Sequence, residues 1–366
     1  MFVTIVFVTH RPLTIVGAGL GGLTLARVLH VHGVEALVLD LDEGPDTRRQ
    51  GGMLDIHEDT GQAALRVLDR HGVVHHEETD EGDGTRPEID RTTLRRLLLD
   101  SLPHDTVRWG ARLTAAHPHP DGGHTLTLAD GTTTTTDLLV GADGAWSRVR
   151  PLLTPAVPAY SGISFVEFDL VDADARHPLA ADTVGAGMLF ALGQDQGFLA
   201  HRETDGSLHV YAGLRVPENW TQRRIDTRTA LLTAFDGWDE SLLRLVHEAD
   251  SGFTPRPVHA LPTGLTWDRV PGVTLLGDAA HVMSPFAGEG ANLALLDGAE
   301  LARALLEHPD DVETALACYE ADLFARSEEK AAEAARNLDL IFCADSPAPL
   351  VEQFAIHSAT AAGARV

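Results

Sequence analysis

The stretch from Leu13 to Asp40 constrains this 366-residue chain more than any other. Leu13-Thr-Ile-Val16 reads as a buried parallel strand and runs directly into Gly17-Ala-Gly19-Leu-Gly-Gly22. Leu25, Val28 and Leu29 then recur at helical spacing, and Gly33 stands where such a helix would end. Ala36-Leu-Val-Leu39 is a second strand with Asp40 at its end. A strand, a GxGxxG turn, a helix and a second strand closed by an acid make a dinucleotide-binding unit. Gly17 suits the tight turn, Gly19 admits a pyrophosphate, Gly22 lets the helix pack close, and Asp40 can take a ribose hydroxyl. This unit predicts an α/β, Rossmann-like domain and does not choose between NAD and FAD.

Two more strand ends repeat the design. Asp137-Leu-Leu-Val140 ends in Gly141-Ala-Asp143-Gly144, with Arg148 and Arg150 behind it. Val273 to Leu276 ends in Gly277-Asp278 and enters a turn that includes Pro285-Phe286-Ala287-Gly288-Glu289-Gly290-Ala291-Asn292. A helical pattern follows from Leu293 to Ala302. Such a turn lets backbone N–H groups approach a flat or phosphorylated ligand with no Cβ in the way. Open α/β sheets bind ligands at the carboxyl ends of their strands, so the three ends are expected to converge.

The remaining segments read more plainly. Residues 44–62, including Arg48 and Gly51-Gly-Met-Leu-Asp55, form a charged, glycine-rich loop, and Ala63 to Leu68 reads as a helix. Asp90 can cap a helix whose apolar stripe is Leu94, Leu97, Leu98 and Leu102. Arg91 falls in the first turn of that helix, an unfavourable place for a cation unless it is solvated or contacts a ligand. Thr106 to Thr136 reads as a small antiparallel meander. From Pro151 to about Gly252 alternation dominates, with Asp205-Gly206 as a hairpin turn, which predicts an antiparallel sheet able to cover a ligand. The chain is helix-like from Val312 onwards, with Leu316, Tyr319 and Leu323 on one face. The expected organisation is a dinucleotide domain over 1–152 and 255–311, an inserted substrate domain over 153–254 and a C-terminal helical segment over 312–366.

Composition narrows the partners. A formal net charge of −26 argues against nucleic acid and against an anionic membrane surface. Cys318 and Cys343 show no CxxC or metal spacing and read as buried small apolar residues without a disulfide. The apolar first ten residues lack a basic start and a cleavage site, so they read as a strand extension or a misplaced start codon rather than a signal peptide. No run is long enough to span a bilayer, and the expected location is the cytoplasm. Despite 19 histidines, no metal-ligand spacing, nucleophile elbow or triad is visible, so no conventional catalytic base and no metal are expected.

With these motifs in order, the sequence resembles the single-component FAD-dependent aromatic hydroxylases, the group A flavoprotein monooxygenases. Within them it is most similar to the tetracycline-degrading enzymes. The similarity extends to Gly61-Gln62, Pro87-Glu-Ile-Asp-Arg91, Leu97-Leu-Leu-Asp-Ser101, Pro217-Glu-Asn-Trp220 and Trp238-Asp-Glu240. The resemblance implies a Rossmann-like FAD-binding domain with an inserted antiparallel-sheet substrate domain and a C-terminal helix. It implies that Gly17, Gly19 and Gly22 hold the FAD pyrophosphate and Asp40 the adenosine ribose. Arg48 and Arg91 would contact the cofactor, and Asp55 would lie near the flavin ring. Asp143 would serve FAD and NADPH binding, and Asp278 the ribityl or pyrophosphate region. Pro285, Gly288, Gly290, Ala291 and Asn292 would lie along the isoalloxazine. Glu167, His209, Phe286 and Ala287 would meet substrate.

The implied chemistry is reduction of FAD by NADPH or NADH and transfer of one oxygen atom from O2 to an aromatic or polyketide-like small molecule. The flavin C4a-hydroperoxide would carry the oxygen, in a monomer or weak homo-oligomer. Some relatives of this kind confer antibiotic resistance. A flavin-dependent dehydrogenase on the same fold, or a flavin- or drug-binding protein without turnover, is the alternative. The chain departs from the relatives at Leu41, where they often carry Arg, at Ser284 for Pro, at Glu289 for Gln, and at Glu167 for an amide.

Overall fold

The computed structural model describes residues 9–47, 53–55, 64–78, 88–220 and 226–363. In chain order, β1 (Thr9–Val16), α1 (Leu20–Val31) and β2 (Leu37–Leu39) precede the short β3 (Met53–Asp55). Next come β4 (Leu65–Asp69), β5 (Val74–Glu78), β6 (Glu88–Asp90) and α2 (Arg91–Asp100). β7 (Val107–Arg108), β8 (Leu113–Pro118), β9 (His124–Leu128) and β10 (Thr133–Gly141) lead to the long β11 (Ala159–Leu170). α3 (Ala173–Arg176) and α4 (Pro178–Val184) introduce β12 (Met188–Gly193), β13 (Gln196–Arg202) and β14 (Leu208–Arg215). α5 (Thr227–Ala234), α6 (Glu240–His247) and β15 (Thr254–Ala260) follow. β16 (Val273–Leu275), α7 (Asp278–His281), α8 (Gly290–Glu307), α9 (Val312–Ile341) and α10 (Ala348–Gly363) close the chain.

These elements gather into two units. The first comprises Met1–Leu54, Ile89–Ala159 and His259–Ala334. Its sheet runs β7-β2-β1-β10-β9-β8, with β16 pairing the other side of β10. β1 pairs in parallel with both β2 and β10, and β10 with β16. Strands covered on both faces need continuous apolar character, and Ile15, Val16, Val38, Leu39, Leu139, Val140, Val273 and Leu275 are all buried. α1 buries Leu20, Leu23, Leu25, Ala26 and Leu29 at helical spacing. The register aligns Leu39 with Val16, Val16 with Gly141, and Gly141 with Leu275. Four parallel strands therefore end at one level, which is the convergence expected of their carboxyl ends.

The second unit comprises Asp55–Glu88, Tyr160–Val258 and Ala335–Val366. Its sheet runs β15-β11-β14-β13-β12-β4-β5. Alternation splits this sheet into two unlike faces. Val166, Phe168, Leu170, Phe198, Val210 and Ala212 form a buried core with Leu231, Phe235, Trp238, Leu242 and Leu245 of the α5–α6 region. The opposite face carries Phe165, Glu167 and Asp169 of β11 across from Gly213, Tyr211 and His209 of β14. The Asp205-Gly206 hairpin joins β13 to β14 as read from the sequence, with Gly206 at φ +80°.

Several expectations are corrected. Ala63 to Leu68 does not supply a helix, because Leu65–Asp69 is β4, paired in parallel with β12. A short apolar run has no decisive period of its own, and the neighbouring strand chose the state. On α2 the buried residue is Arg95, whereas Leu97 of the expected apolar stripe is exposed. Cys318 is exposed and Cys343 half-buried rather than core residues, and both are free thiols. The stretches 55–88 and 335–366 gather with the antiparallel sheet, since β4 and β5 extend it. Among the described residues no helix is long and apolar enough to cross a membrane.

Candidate functional site

The glycine loop of the first unit is held from both sides. Gly17 has φ +111°, and a Cβ there would lie 2.1 Å from the Ala142 carbonyl oxygen, so only glycine fits between the β1 and β10 ends. At Gly22 an added Cβ would lie 2.2 Å from the Gly17 oxygen, which is the close helix approach expected of that position. Space opens at Gly19 instead, with no atom within 4 Å of a built Cβ. Asp40 is buried, and its two oxygens accept from the N–H groups of Ala18 (2.6 Å) and Asp42 (2.8 Å). It therefore braces the loop, and a carboxylate with further lone pairs can still meet a ribose hydroxyl.

Arg95 is a site residue that the sequence reading did not find. Its guanidinium donates to the Ala18 carbonyl (2.9 Å) and the Pro45 carbonyl (2.7 Å), and lies over the Trp109 ring. Ala18 is thus gripped by Asp40 at its N–H and by Arg95 at its carbonyl. No periodicity signals a buried arginine on a helix whose leucines look like the core.

Arg150 is the second unforeseen contributor. Buried behind the strand ends, it donates from Nε to the Ala279 carbonyl (2.8 Å) and from Nη2 to the Ala145 carbonyl (2.5 Å). It thereby ties the Asp143 loop to the Asp278 turn. Asp143 accepts the Arg148 N–H at 2.6 Å through one oxygen, while its Oδ1 is buried without a hydrogen-bond partner. Burial pushes the Asp143 carboxyl up, against the Arg148 N–H and the Arg150 charge. Solvent reaches Asp278, yet protein surrounds it so closely that desolvation raises its carboxyl too, opposed by His281, Arg91 and Arg150.

Arg91 follows the Asp90 cap, whose carboxylate accepts the Thr93 N–H at 2.7 Å, and its Nε is buried with no partner. The Arg91 residue as a whole is half-buried. Beyond Asp278, a short 3-10 turn at Pro285–Ala287 brings the chain to Gly288 (φ +69°) and the start of α8. Gly288 and Gly290 both face open space, where added Cβ atoms would meet nothing within 4 Å. Phe286, Ala287, Ala291 and Asn292 lie in or beside this turn. Arg48 and the side chain of Asp55 lie outside the described residues, as does the Gly61-Gln62 pair.

The second unit offers a different surface. His209 Nδ1 lies 2.6 Å from Asp169 Oδ1, and its Nε2 is buried without a partner. Burial works against charge on the imidazole, but Asp169, with Glu167 and Glu203 behind it, outweighs burial and raises the His209 value above the ordinary range. Tyr211 meets His209 edge-on at 4.7 Å and Phe165 at 5.4 Å. Glu167 is ion-paired with Arg256 at 2.7 Å. Glu167 and His209 are thus brought to one face, each already engaged by a neighbour that the sequence reading did not name.

The donor set suits a dinucleotide: a glycine cradle that a Cβ would fill, open space above Gly19, Gly288 and Gly290, and two orphaned polar atoms on Asp143 and Arg91. Comparison with known proteins decides which one. A family model described as an FAD binding domain matches residues 11–333. The chain belongs to this family, the group A flavoprotein monooxygenases. It is 30% identical over 423 residues to the monooxygenase asqM of Emericella nidulans, covering 90% of this chain and 95% of that protein. Among solved structures, Klebsiella pneumoniae HpxO complexed with FAD and uric acid superposes with a TM-score of 0.76 at 21% identity, covering 96% of this chain and 93% of that one. The tetracycline destructase Tet(55) superposes with a TM-score of 0.72 at 19% identity, over 95% and 94%. At those identities the two structures establish the fold. The protein is an FAD-dependent monooxygenase.

Proposed function

We propose that this monooxygenase hydroxylates a flat aromatic or polyketide-like small molecule, with NADPH or NADH as electron donor and O2 as oxygen source. The observation that supports the reading is the level row of strand ends Leu39, Val16, Gly141 and Leu275, followed in the chain by Asp40, Gly17, Asp143 and Asp278. Bound FAD supplies electron transfer and oxygen activation. The residues of the chain do the rest. The Gly17–Gly22 loop and the N-terminus of α1 receive the pyrophosphate, where unpaired N–H groups favour an anion. Asp278 and Asp143 accept hydroxyl hydrogen bonds, and their raised values mark the cost of leaving them without such partners. Arg91 acts on the Asp278 carboxyl as a neighbouring charge, and its Nε has no hydrogen-bond partner. Gly288 and Gly290 leave open space, free of a Cβ, for the flavin ring.

On the second unit, Tyr211 can meet a flat ring, while His209 Nε2 and the Glu167–Arg256 pair meet its oxygen substituents. HpxO is described in complex with uric acid and Tet(55) as a tetracycline destructase, both compounds oxygen-rich and built on fused rings, which supports a substrate of that kind. The test is a screen of phenols, purines and polyketides with the yellow, FAD-loaded protein. The reading expects substrate-stimulated consumption of NAD(P)H and O2 and a product heavier by one oxygen atom. A flavin that neither NADPH nor NADH bleaches would overturn it.

A further inference from the structure

One stripe of α9 grips the turn that leads from Gly277 into α8. Arg326 donates to Asp297 of α8 at 2.9 and 3.2 Å. Lys330 lies 3.2 Å from Glu289, and the Ala334 carbonyl accepts the Ser284 hydroxyl at 2.8 Å. Spaced four residues apart, 326, 330 and 334 share one face of the helix. Asp297 is fully buried and also accepts from the Gly277 N–H (2.8 Å) and His281 Nε2 (2.7 Å), so the grip reaches the strand end itself. Ser284 and Glu289 thus each have a partner on α9.

Glu289 is the unusual member. It occupies the N-cap of an 18-residue helix, yet its carboxylate makes no capping bond. The side chain is largely buried and turns to Lys330 instead. Burial works against the Lys330 charge, but Glu289 and Glu333 outweigh it and hold the ammonium above its ordinary range.

We propose that Lys330 is a charge-compensating positioning residue for the bound flavin, cancelling the Glu289 carboxylate at the start of α8. The inference rests on the reading that the Pro285–Asn292 turn lies along the flavin ring. Reduction adds negative charge to that ring, which the amino end of a helix favours and a nearby bare carboxylate opposes. With the pair intact, the added charge meets the helix terminus rather than a second anion.

The midpoint potential of the FAD-loaded protein tests this, by chemical reduction beside a reference dye with no nicotinamide or substrate present. Lys330→Met exposes Glu289 and is expected to move the potential negative, changing the reduced-to-oxidised ratio at fixed potential about tenfold. Glu289→Gln leaves Lys330 with Glu333 as its remaining acid partner, 3.4 Å away, and moves the potential positive. The double variant returns to near the wild-type value, and Lys330→Arg keeps it. A purely structural clamp would lower thermal stability in both single variants without opposite shifts in potential. Shifts of the same sign, no shift, or a double variant that does not return would overturn the proposal. Should Lys330→Met fail to retain FAD, the positive shift of Glu289→Gln decides alone. Failure of NADPH and NADH to reduce the wild-type flavin would sink the hydroxylase reading and leave this series standing.

Discussion

In the first unit two acids of the site, Asp40 and Asp143, face backbone. Asp40 accepts from Ala18 and Asp42, and Asp143 accepts from Arg148. In the second unit side chains face side chains, with Asp169 on His209 and Glu167 on Arg256. The difference is physical. A backbone contact is set by the path of the chain, so altering it means rebuilding a loop, and glycine spacing records that path. A cross-strand pair of side chains can be exchanged while the sheet ladder stays intact. A cofactor common to a family suits the first construction, and a substrate surface that differs among members suits the second.

The comparison can be broken most forcefully at Gly22. Gly22→Ala places a Cβ 2.2 Å from the Gly17 oxygen, against backbone that cannot swing aside. A loss of about 3 kcal/mol is expected, at the upper end of overpacking costs, with loss of FAD absorbance after gel filtration. A variant that keeps both its melting temperature and its FAD would show that the loop has slack.

Next in size is Arg150→Met, which strands the Ala145 and Ala279 carbonyls and leaves Asp143 and Asp278 without their shared cation. Urea unfolding is expected to report a loss of about 2 kcal/mol. An unchanged midpoint would remove Arg150 from the frame of the site.

Asp278→Asn separates stability from binding. Because crowding raises the carboxyl, its charged form is disfavoured in the folded protein, and a neutral amide should leave the FAD-free protein equally or more stable. FAD affinity should nonetheless fall, by about tenfold, through loss of a charged acceptor. Thermal melts without FAD and a fluorescence titration with it would check the two halves independently.

The smallest effect concerns the second unit. The His209 value is raised in the fold, so its pairing with Asp169 contributes fully below the ordinary imidazole value of about 6.5 and is lost as pH rises through the higher folded value. Asp169→Asn should flatten that decline, by about 1 kcal/mol or less, leaving FAD content unchanged. Melting curves for both proteins across neutral and mildly alkaline pH would settle it, and parallel curves would rule out the coupling.

Much of the first unit was legible because its constraints are local. Gly17, Gly19 and Gly22 sit beside the strand and helix that need them, and Asp90 caps the helix that begins at the next residue. Arg91 was legible as a cation in the first turn of a helix, either solvated or meeting a ligand, and the structure leaves its Nε without a hydrogen-bond partner. Arg95 and Arg150 were not legible. Each reaches carbonyls far along the chain, from Arg95 to Ala18 and from Arg150 to Ala279, and no spacing encodes such distances. Ala63 to Leu68 was misread because a five-residue strand takes its state from the strand beside it, here β12.

The sequence by itself determined that three strand ends would be shaped for a dinucleotide, since glycine geometry and strand-terminal acids act over a few residues. The tertiary structure decided what surrounds that site. Only packing could bury Arg95 beneath the loop, assign β4 to the second sheet, and set Arg326, Lys330 and Ala334 against the turn before α8. Those contacts join residues distant in sequence, and their strength depends on burial and alignment that no local pattern carries.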